Sequence, residues 1–339
     1  MPPAHEPRSE RCICIGASAG GVDAILALAR ALPASFPAPI LFVQHIGAHR
    51  SRLWDLVSSR GPNPALAAED GMVPRSGTIH IAPPDQHMLL VDGVIRLFRG
   101  PKEHHARPAI DPLFRSAALD CGPRTIGVVM TGMLDDGTAG LRAIKACGGT
   151  TVVQDPADAF ASSMPQSALD HVAVDHVTPL AALGALLHEL ASQRVDVTAF
   201  EPPAAVRQEH AISLGIDAMK HLAALSRPSM FTCPDCGGVL SELEDKHPVR
   251  YRCHTGHAFT LRSLAQTQHE ETDAALWTSL RALQEKEAIL RRMARMYGNT
   301  SPEREAEAQH EADEIAHVAA MLRSLTEKAP GPGHYDAGS

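Results

Sequence analysis

Between Arg11 and about Ala191, short β-branched runs alternate with alanine- and leucine-rich runs, and this alternation constrains the fold more than any other feature of the chain. CICIGA, ILFVQHI, TIHIAP, TIGVVMTG, TTVVQD and HVAVDHV read as strands, with VDAILALARAL, PLFRSAALDCG, AGLRAIKACGG and PLAALGALLHELA as helices among them. Strands that are apolar throughout need cover on both faces, which a mostly parallel sheet obtains from helices on each side. The expected fold is α/β, a doubly wound, three-layer arrangement. One stretch departs from the alternation: HMLLVDGVIRLFRG joins two extended runs through Asp92-Gly93, a hairpin signal, and predicts a small antiparallel flap on the sheet.

After Ala191 the pattern changes. SQRVDVTAFEPPAAVRQEH, with paired prolines and scattered charge, reads as a linker, and AISLGIDAMKHLAAL as a weak helix that follows it. A compact Cys/His segment comes next, and then a long helical tract in which Leu276, Leu280, Leu283, Leu290 and Tyr297 share one stripe. Gly298-Asn299 and Pro302 interrupt that tract, so an antiparallel helix pair is expected, the second helix running from about Glu303 to Leu325. The boundaries are 11–192 for the α/β domain, 193–230 for the linker, 231–260 for the Cys/His module and 261–326 for the helical hairpin, with disordered tails at 1–10 and 327–339.

Bulk properties exclude several function classes. A formal charge of −8 opposes a general grip on nucleic acid. No uncharged apolar run approaches a membrane span, and the polar opening MPPAHEPRSER lacks a signal-peptide layout, so a cytoplasmic protein without membrane insertion is expected. Of the seven cysteines, Cys233, Cys236 and Cys253 gather in one segment, which suits one metal site in a reducing compartment better than a disulfide framework.

Gly16-Ala-Ser18-Ala-Gly20 lies between a strand and a helix and matches G-x-S-x-G, where small flanking residues let a tight turn lift a serine hydroxyl clear. The glycines equally suit a loop that lets a pyrophosphate approach a helix N-terminus, although Ser18 stands where that fingerprint wants glycine and the second strand ends in Gln44-His45 rather than an acid. The loop alone leaves both readings open. Open α/β sheets place chemistry at the carboxyl ends of their strands, and those ends carry Ser18, His45 and the pair Asp135-Asp136. A nucleophile, a base that takes its proton and an acid that orients the base need these residue types. The backbone N–H of Ala19 at the helix start is a candidate oxyanion donor.

The set GASAGG, VQHI, EDGMVPRSGTIHIAPPDQHM, RPAIDPLFRSAA, VMTGMLDDGTAGL and MPQSAL, in this order over roughly residues 11–192, closely resembles the catalytic domain of the chemotaxis protein-glutamate methylesterases, CheB. The resemblance implies a serine hydrolase that removes methyl groups from γ-glutamyl methyl esters on chemoreceptor-like proteins, acts without a catalytic cofactor and in some members also deamidates glutamine. It assigns Ser18 as nucleophile, His45 as base and Asp136 as orienting acid, and places Met133 in a loop lining the site. With Ser18 so near the start of the sequence, the form expected is one without the family's usual N-terminal receiver domain, and control is expected from elsewhere. The competing expectations are a catalytically silent regulatory or binding protein that uses the glycine-rich loop and the Cys/His module, and a hydrolase of small esters.

Cys233-Pro-Asp-Cys236 and Cys253-His-Thr-Gly-His257 supply two ligand pairs for a closed tetrahedral structural zinc, with His254 the rival fourth ligand. Such a zinc-ribbon-like segment has too few apolar residues to fold without metal. Together with the helical hairpin it is expected to dock a regulatory protein or to mediate oligomerisation.

Overall fold

The computed structural model describes residues 11–47, 51–195, 200–246, 248–298 and 300–327. The tails expected at 1–10 and 327–339 lie, Glu327 apart, outside the described residues, as does part of the 193–230 linker. The chain divides into two compact units, 1–263 and 264–339.

The first unit is built on seven parallel strands: β1 (Cys12–Ala17), β2 (Ile40–Gln44), β3 (Ala65–Ala67), β4 (Ile79–Ile81), β7 (Thr125–Val129), β8 (Thr150–Gln154) and β9 (His176–Thr178), in the order β3-β4-β2-β1-β7-β8-β9. All pairs in this sheet are parallel, as the continuous apolar runs require. Side chains alternate between two cores. Ile13 and Ile15 of β1 pack in the layer that holds α1 (Gly21–Ala31) and α6 (Leu180–Ser192), whereas Cys12 and Cys14 join α3 (Ile110–Cys121), α4 (Thr138–Ala146) and α5 (Ser163–His171) on the other face. Helix α1 shows the local logic: Ala24, Ile25, Leu28 and Ala29 form the buried stripe, and Asp23 and Arg30 sit at the ends the helix dipole favours.

The expected antiparallel hairpin is present, and two other details differ from the sequence reading. The hairpin β5 (His87–Val91) and β6 (Val94–Phe98) is a separate two-stranded sheet; its Met88, Leu90 and Ile95 pack into the α3 layer, and the Ser116 hydroxyl of α3 accepts the Leu90 N–H at 3.0 Å. Asp92 and Gly93 both have left-handed backbone angles (φ 54° and 73°), as a two-residue turn of this kind demands. HVAVDHV is not one strand: His171 closes α5, and only His176–Thr178 pairs with β8. The short helix α2 (Leu53–Ser58) lies beyond β2.

Residues 204–263 complete this unit. Part of the expected linker is helical: α7 (Ala204–Ser213) begins at its AAVRQEH and ends just inside the expected weak helix, whose remainder forms α8 (Ala218–Leu225) after a break where Gly215 and Asp217 adopt positive φ. An antiparallel ribbon follows: β10 (Ser226–Thr232), β11 (Val239–Lys246), β12 (Val249–Cys253) and β13 (Ala258–Thr260). The second unit is a helical hairpin formed by α9 (Leu261–Tyr297), which starts in the first unit, and α10 (Pro302–Thr326). Leu280 and Leu290 are buried on the predicted stripe of α9, Ala308, Ala312 and Ala319 on α10, and the ion pairs Lys286–Glu311 (2.9 Å) and Arg291–Asp313 (3.2 Å) join the two helices. No helix among the described residues is long and apolar enough to cross a membrane.

Candidate active site

Strand order creates the site. The chain leaves β1 toward β2 on one side of the sheet, and β7 occupies the other side of β1, so a crevice opens at the carboxyl ends of these three strands. Ser18 follows β1, His45 follows β2, and Asp135-Asp136 lie in the loop after β7. Hydrogen bonds tie the three segments together: the His45 N–H donates to the Ala17 carbonyl (3.1 Å), the Ser18 N–H to the Thr131 carbonyl (2.9 Å), and the Gln44 side-chain amide to the Ser18 carbonyl (2.7 Å).

The two glycines around Ser18 have different tasks. Gly20 has φ +75° and forms the turn into α1, which an L side chain would strain. Gly16 lies inside β1, where a β-carbon would stand 2.3 Å from Ile110, so it admits helix α3 against the sheet rather than shaping the turn.

His45 Nε2 lies 2.7 Å from Asp136 Oδ2. Asp136 is 2 % exposed, and backbone donors hold both of its oxygens: Ile110 N–H to Oδ2 (2.7 Å), Asp111 N–H to Oδ1 (3.0 Å) and Gly137 N–H to Oδ1 (2.8 Å). Two of these donors are the first N–H groups of α3, so the carboxylate also sits at the favourable end of that helix. Burial alone would push its pKa up; the charge of His104, the hydrogen bond from His45 and the Ile110 amide outweigh burial and hold it well below the usual carboxylate range. An ionised Asp136 accepts a hydrogen bond from Nε2–H, which leaves Nδ1 of neutral His45 with its lone pair.

Ser18 is partly exposed, and no hydrogen bond joins its hydroxyl to His45 among the described residues. The β7 loop closes on it from behind: a β-carbon at Gly132 would stand 3.0 Å from Ser18 Cβ. The backbone N–H groups of Ala19 and Met133 donate to no acceptor among the described residues. Met133 is 54 % exposed and Phe160, which packs on Gly20, is 84 % exposed. A groove of about 560 Å³ runs beside the crevice, lined by Val22, Ile46, Leu53 and Leu56 together with Ser51, Arg52 and Asp55.

Of the adjacent acids, Asp136 meets His45, whereas Asp135 accepts a hydrogen bond from the Thr260 hydroxyl (2.8 Å). His80 and His87 are buried in structural roles; His87 accepts the Ala109 N–H on Nδ1 and donates to the Pro101 carbonyl from Nε2. No motif in the sequence points to His104, which the structure brings to the site. Its side chain is 5 % exposed, Nε2 lies 3.0 Å from Asp111 Oδ2 and 3.6 Å from Asp136 Oδ1, and Nδ1 lies 3.8 Å from Asp135 Oδ1. Burial pushes this imidazole down, but Asp136, Asp111 and Asp135 together raise its pKa to about 10. His104, Asp111 and Asp136 have the spacing of a cation site, but the raised pKa of His104 favours an imidazolium there, and backbone amides donate to both oxygens of Asp136 and to Oδ1 of Asp111.

In the ribbon, one donor atom from each of Cys233, Cys236, Cys253 and His257 lies within 4.8 Å of the other three. Cys236 Sγ to Cys253 Sγ is 3.7 Å, and His257 Nδ1 is 3.7 Å from Cys233 Sγ and 3.5 Å from Cys253 Sγ. A tetrahedron with Zn–S bonds of about 2.3 Å has S···S edges of roughly 3.8 Å, so the group fits that ion. His254 is exposed beside Gly238 and outside the group.

The model of the CheB methylesterase family matches residues 13–187. Among curated relatives, the protein-glutamate methylesterase/protein-glutamine glutaminase 2 of Anaeromyxobacter dehalogenans is 41 % identical over 189 residues, covering 56 % of this chain and 55 % of its own. A putative protein-glutamate methylesterase/protein-glutamine glutaminase of Leptospira interrogans is 38 % identical over 52 % of this chain and 93 % of its own. The protein-glutamate methylesterase FrzG of Myxococcus xanthus is 38 % identical over 54 % of this chain and 56 % of its own. The chain thus spans little more than half the length of the Anaeromyxobacter and Myxococcus relatives. The crystal structure of the Thermotoga maritima CheB methylesterase catalytic domain superposes with a TM-score of 0.51 at 33 % identity, covering 53 % of this chain and 98 % of that one. With its parallel sheet, its His45–Asp136 pair and a family match over more than half its length, the chain belongs to the CheB methylesterase family.

Proposed function

We propose that this protein is a protein-glutamate methylesterase that hydrolyses γ-glutamyl methyl esters on a methylated chemoreceptor-like protein in the cytoplasm. The observation that carries this reading is the His45–Asp136 pair, 2.7 Å apart, at strand ends next to Ser18 in a member of this family. Ser18 Oγ attacks the ester carbonyl while His45 Nδ1 takes its proton, and Asp136 stabilises the imidazolium. The uncommitted N–H groups of Ala19 and Met133 are the candidate donors to the oxyanion. Methanol leaves with the proton from His45, and water activated by the same nitrogen hydrolyses the acyl-enzyme. Glutamine deamidation needs the same steps with ammonia as leaving group, and relatives carry both activities in their names.

A macromolecular substrate suits the surroundings, since Met133 and Phe160 are exposed and Val22, Ile46, Leu53 and Leu56 line the neighbouring groove. The four-ligand group of the ribbon is read as a structural zinc site, closed to substrate because the protein fills every position; its test is one zinc per chain by elemental analysis. The helical hairpin is the proposed surface for a regulatory partner.

The decisive experiment measures methanol release from a methylated receptor and labelling by a fluorophosphonate, for wild type and Ser18→Ala. Wild type should release methanol and be labelled, and the variant should do neither; release undiminished in Ser18→Ala would overturn the reading. Rapid turnover of free glutamate γ-methyl ester without receptor would instead indicate a small-ester hydrolase.

A further inference from the structure

The segment 102–106 contributes nothing to the reaction as written, yet it joins the ribbon to the acid of the site. Glu103 and Ala258 form an isolated parallel bridge, so the segment runs beside the start of β13. The His104 N–H donates to the Ala258 carbonyl at 2.8 Å, and the Ala258 N–H to the Lys102 carbonyl at 3.3 Å. His104 and His105 both have left-handed backbone angles, φ 53° and 58°, a course that non-glycine residues keep only when surrounding contacts hold it.

Side chains reinforce this join. Glu103 is 2 % exposed and lies between Arg115 of α3 (2.6 Å) and Arg252 of β12 (3.0 Å); Arg252 also reaches Glu209 of α7 (3.0 Å), which pairs in turn with Arg250 (2.6 Å). His105 Nδ1 lies 2.9 Å from Asp235, between the two cysteines of the first ligand pair. Thr260, in β13, donates to Asp135 at 2.8 Å. Between these fixed points the His104 ring projects into the pocket of Asp111, Asp135 and Asp136, three carboxylates that would repel one another without a cation among them.

We propose that the ribbon is a working part of the hydrolase site: β13 fixes His104, and His104 acts as a positioning residue that braces Asp136 and Asp111 and so presents His45 to Ser18. The proposal rests on the Ser18–His45–Asp136 triad. His104 lies behind Asp136 and is almost fully covered, so it acts on turnover and not on substrate affinity. The charged groups around it are Asp111 on α3 and Asp135 and Asp136 after β7, with His87 and Arg262 beyond them.

The test uses the full chain with His104→Asn, because asparagine tolerates the left-handed backbone, and Thr260→Val, which removes one ribbon contact. Three quantities are measured: the rate of Ser18 labelling by a fluorophosphonate between pH 5 and 10, kcat and KM for methanol release, and the melting temperature. His104→Asn should slow labelling and lower kcat by on the order of 100-fold with KM unchanged, and should lack the alkaline decline expected of wild type, in which the three carboxylates raise the His104 pKa to about 10. Thr260→Val should lower both rates by a smaller factor, roughly threefold to tenfold, and it tests the ribbon's role even if His104→Asn does not fold. Wild-type rates and pH profile in the folded variants would overturn the inference. Wild type that is labelled at Ser18 but releases no methanol from receptor defeats only the substrate assignment, whereas wild type that is not labelled defeats the triad and this inference together.

Discussion

The parallel sheet and the ribbon share one compact unit but are held by different forces. In the sheet, β1, β2 and β7 are buried over their whole length between two apolar layers. In the ribbon, β10 has no buried residue, Met230, Phe231 and Val239 are exposed, and few apolar side chains, among them Leu240, Tyr251 and Phe259, are covered. The contacts of the ribbon are directional instead: a buried cluster of Glu103, Glu209, Arg115, Arg250 and Arg252, beside four Cys/His donor atoms close enough to share a metal ion. Apolar burial is spread over many side chains and yields gradually to substitution; ligation and buried ion pairs are lost abruptly when one partner goes.

Metal removal should break the comparison most visibly. Structural zinc supplies an apparent stabilisation of about 10 kcal/mol or more in small domains, so chelation of the full chain should expose the amides of 226–260 to rapid hydrogen exchange while those of β1, β2 and β7 stay protected. Equal protection before and after chelation would show that the ribbon does not depend on a metal. The ionic cluster comes next. Glu103→Gln leaves Arg115, Arg250 and Arg252 to share Glu209 and should destabilise the unit by about 3 kcal/mol in urea unfolding.

The same residue sharpens the contrast through pH. Burial would raise the Glu103 pKa, but Arg115 and Arg252 lower it from 4.5 to about 2, so its contribution is fully present above pH 4.5 and lost as pH falls toward 2. Wild type should lose stability over that window, and Glu103→Gln should lose less. The smallest effect belongs to the sheet. Ile15→Val removes one buried methyl group, should cost about 0.5–1.5 kcal/mol, and should not change hydrogen exchange in the ribbon. A larger loss, or one that spreads to the ribbon, would mean that the two regions are not held independently.

The difference in forces also decides what can be read from sequence. Strands such as CICIGA and TIGVV announce themselves because burial on both faces leaves an unbroken apolar run. Short β3, ALA, has no β-branched residue, and α5 carries Pro165 in its first turn, which reads as a break. HVAVDHV alternates like a strand, but the edge of the sheet uses only its last residues and Thr178. Ser18 and His45 were legible as residues at strand ends, and the ligand pairs from their spacing. The choice of Asp136 over Asp135 came only with the family resemblance, and its geometric reason, the facing His45, is a contact across 91 positions. His104 had no local signature at all: it is one of 19 histidines, and its place is fixed by a strand more than 150 positions further along the chain.

Because every strand of the main sheet runs the same way, the loops that carry Ser18, His45 and Asp136 share one rim, and the turns that lead into the strands lie on the opposite, quiet one. The six residues of β1 span roughly 20 Å, which separates the two rims by about the width of a small domain. The turn at Ala34-Ser35, exposed and ahead of β2, lies on the quiet rim. A dye or affinity handle attached there would report on this protein or immobilise it while leaving the approach to Ser18 open.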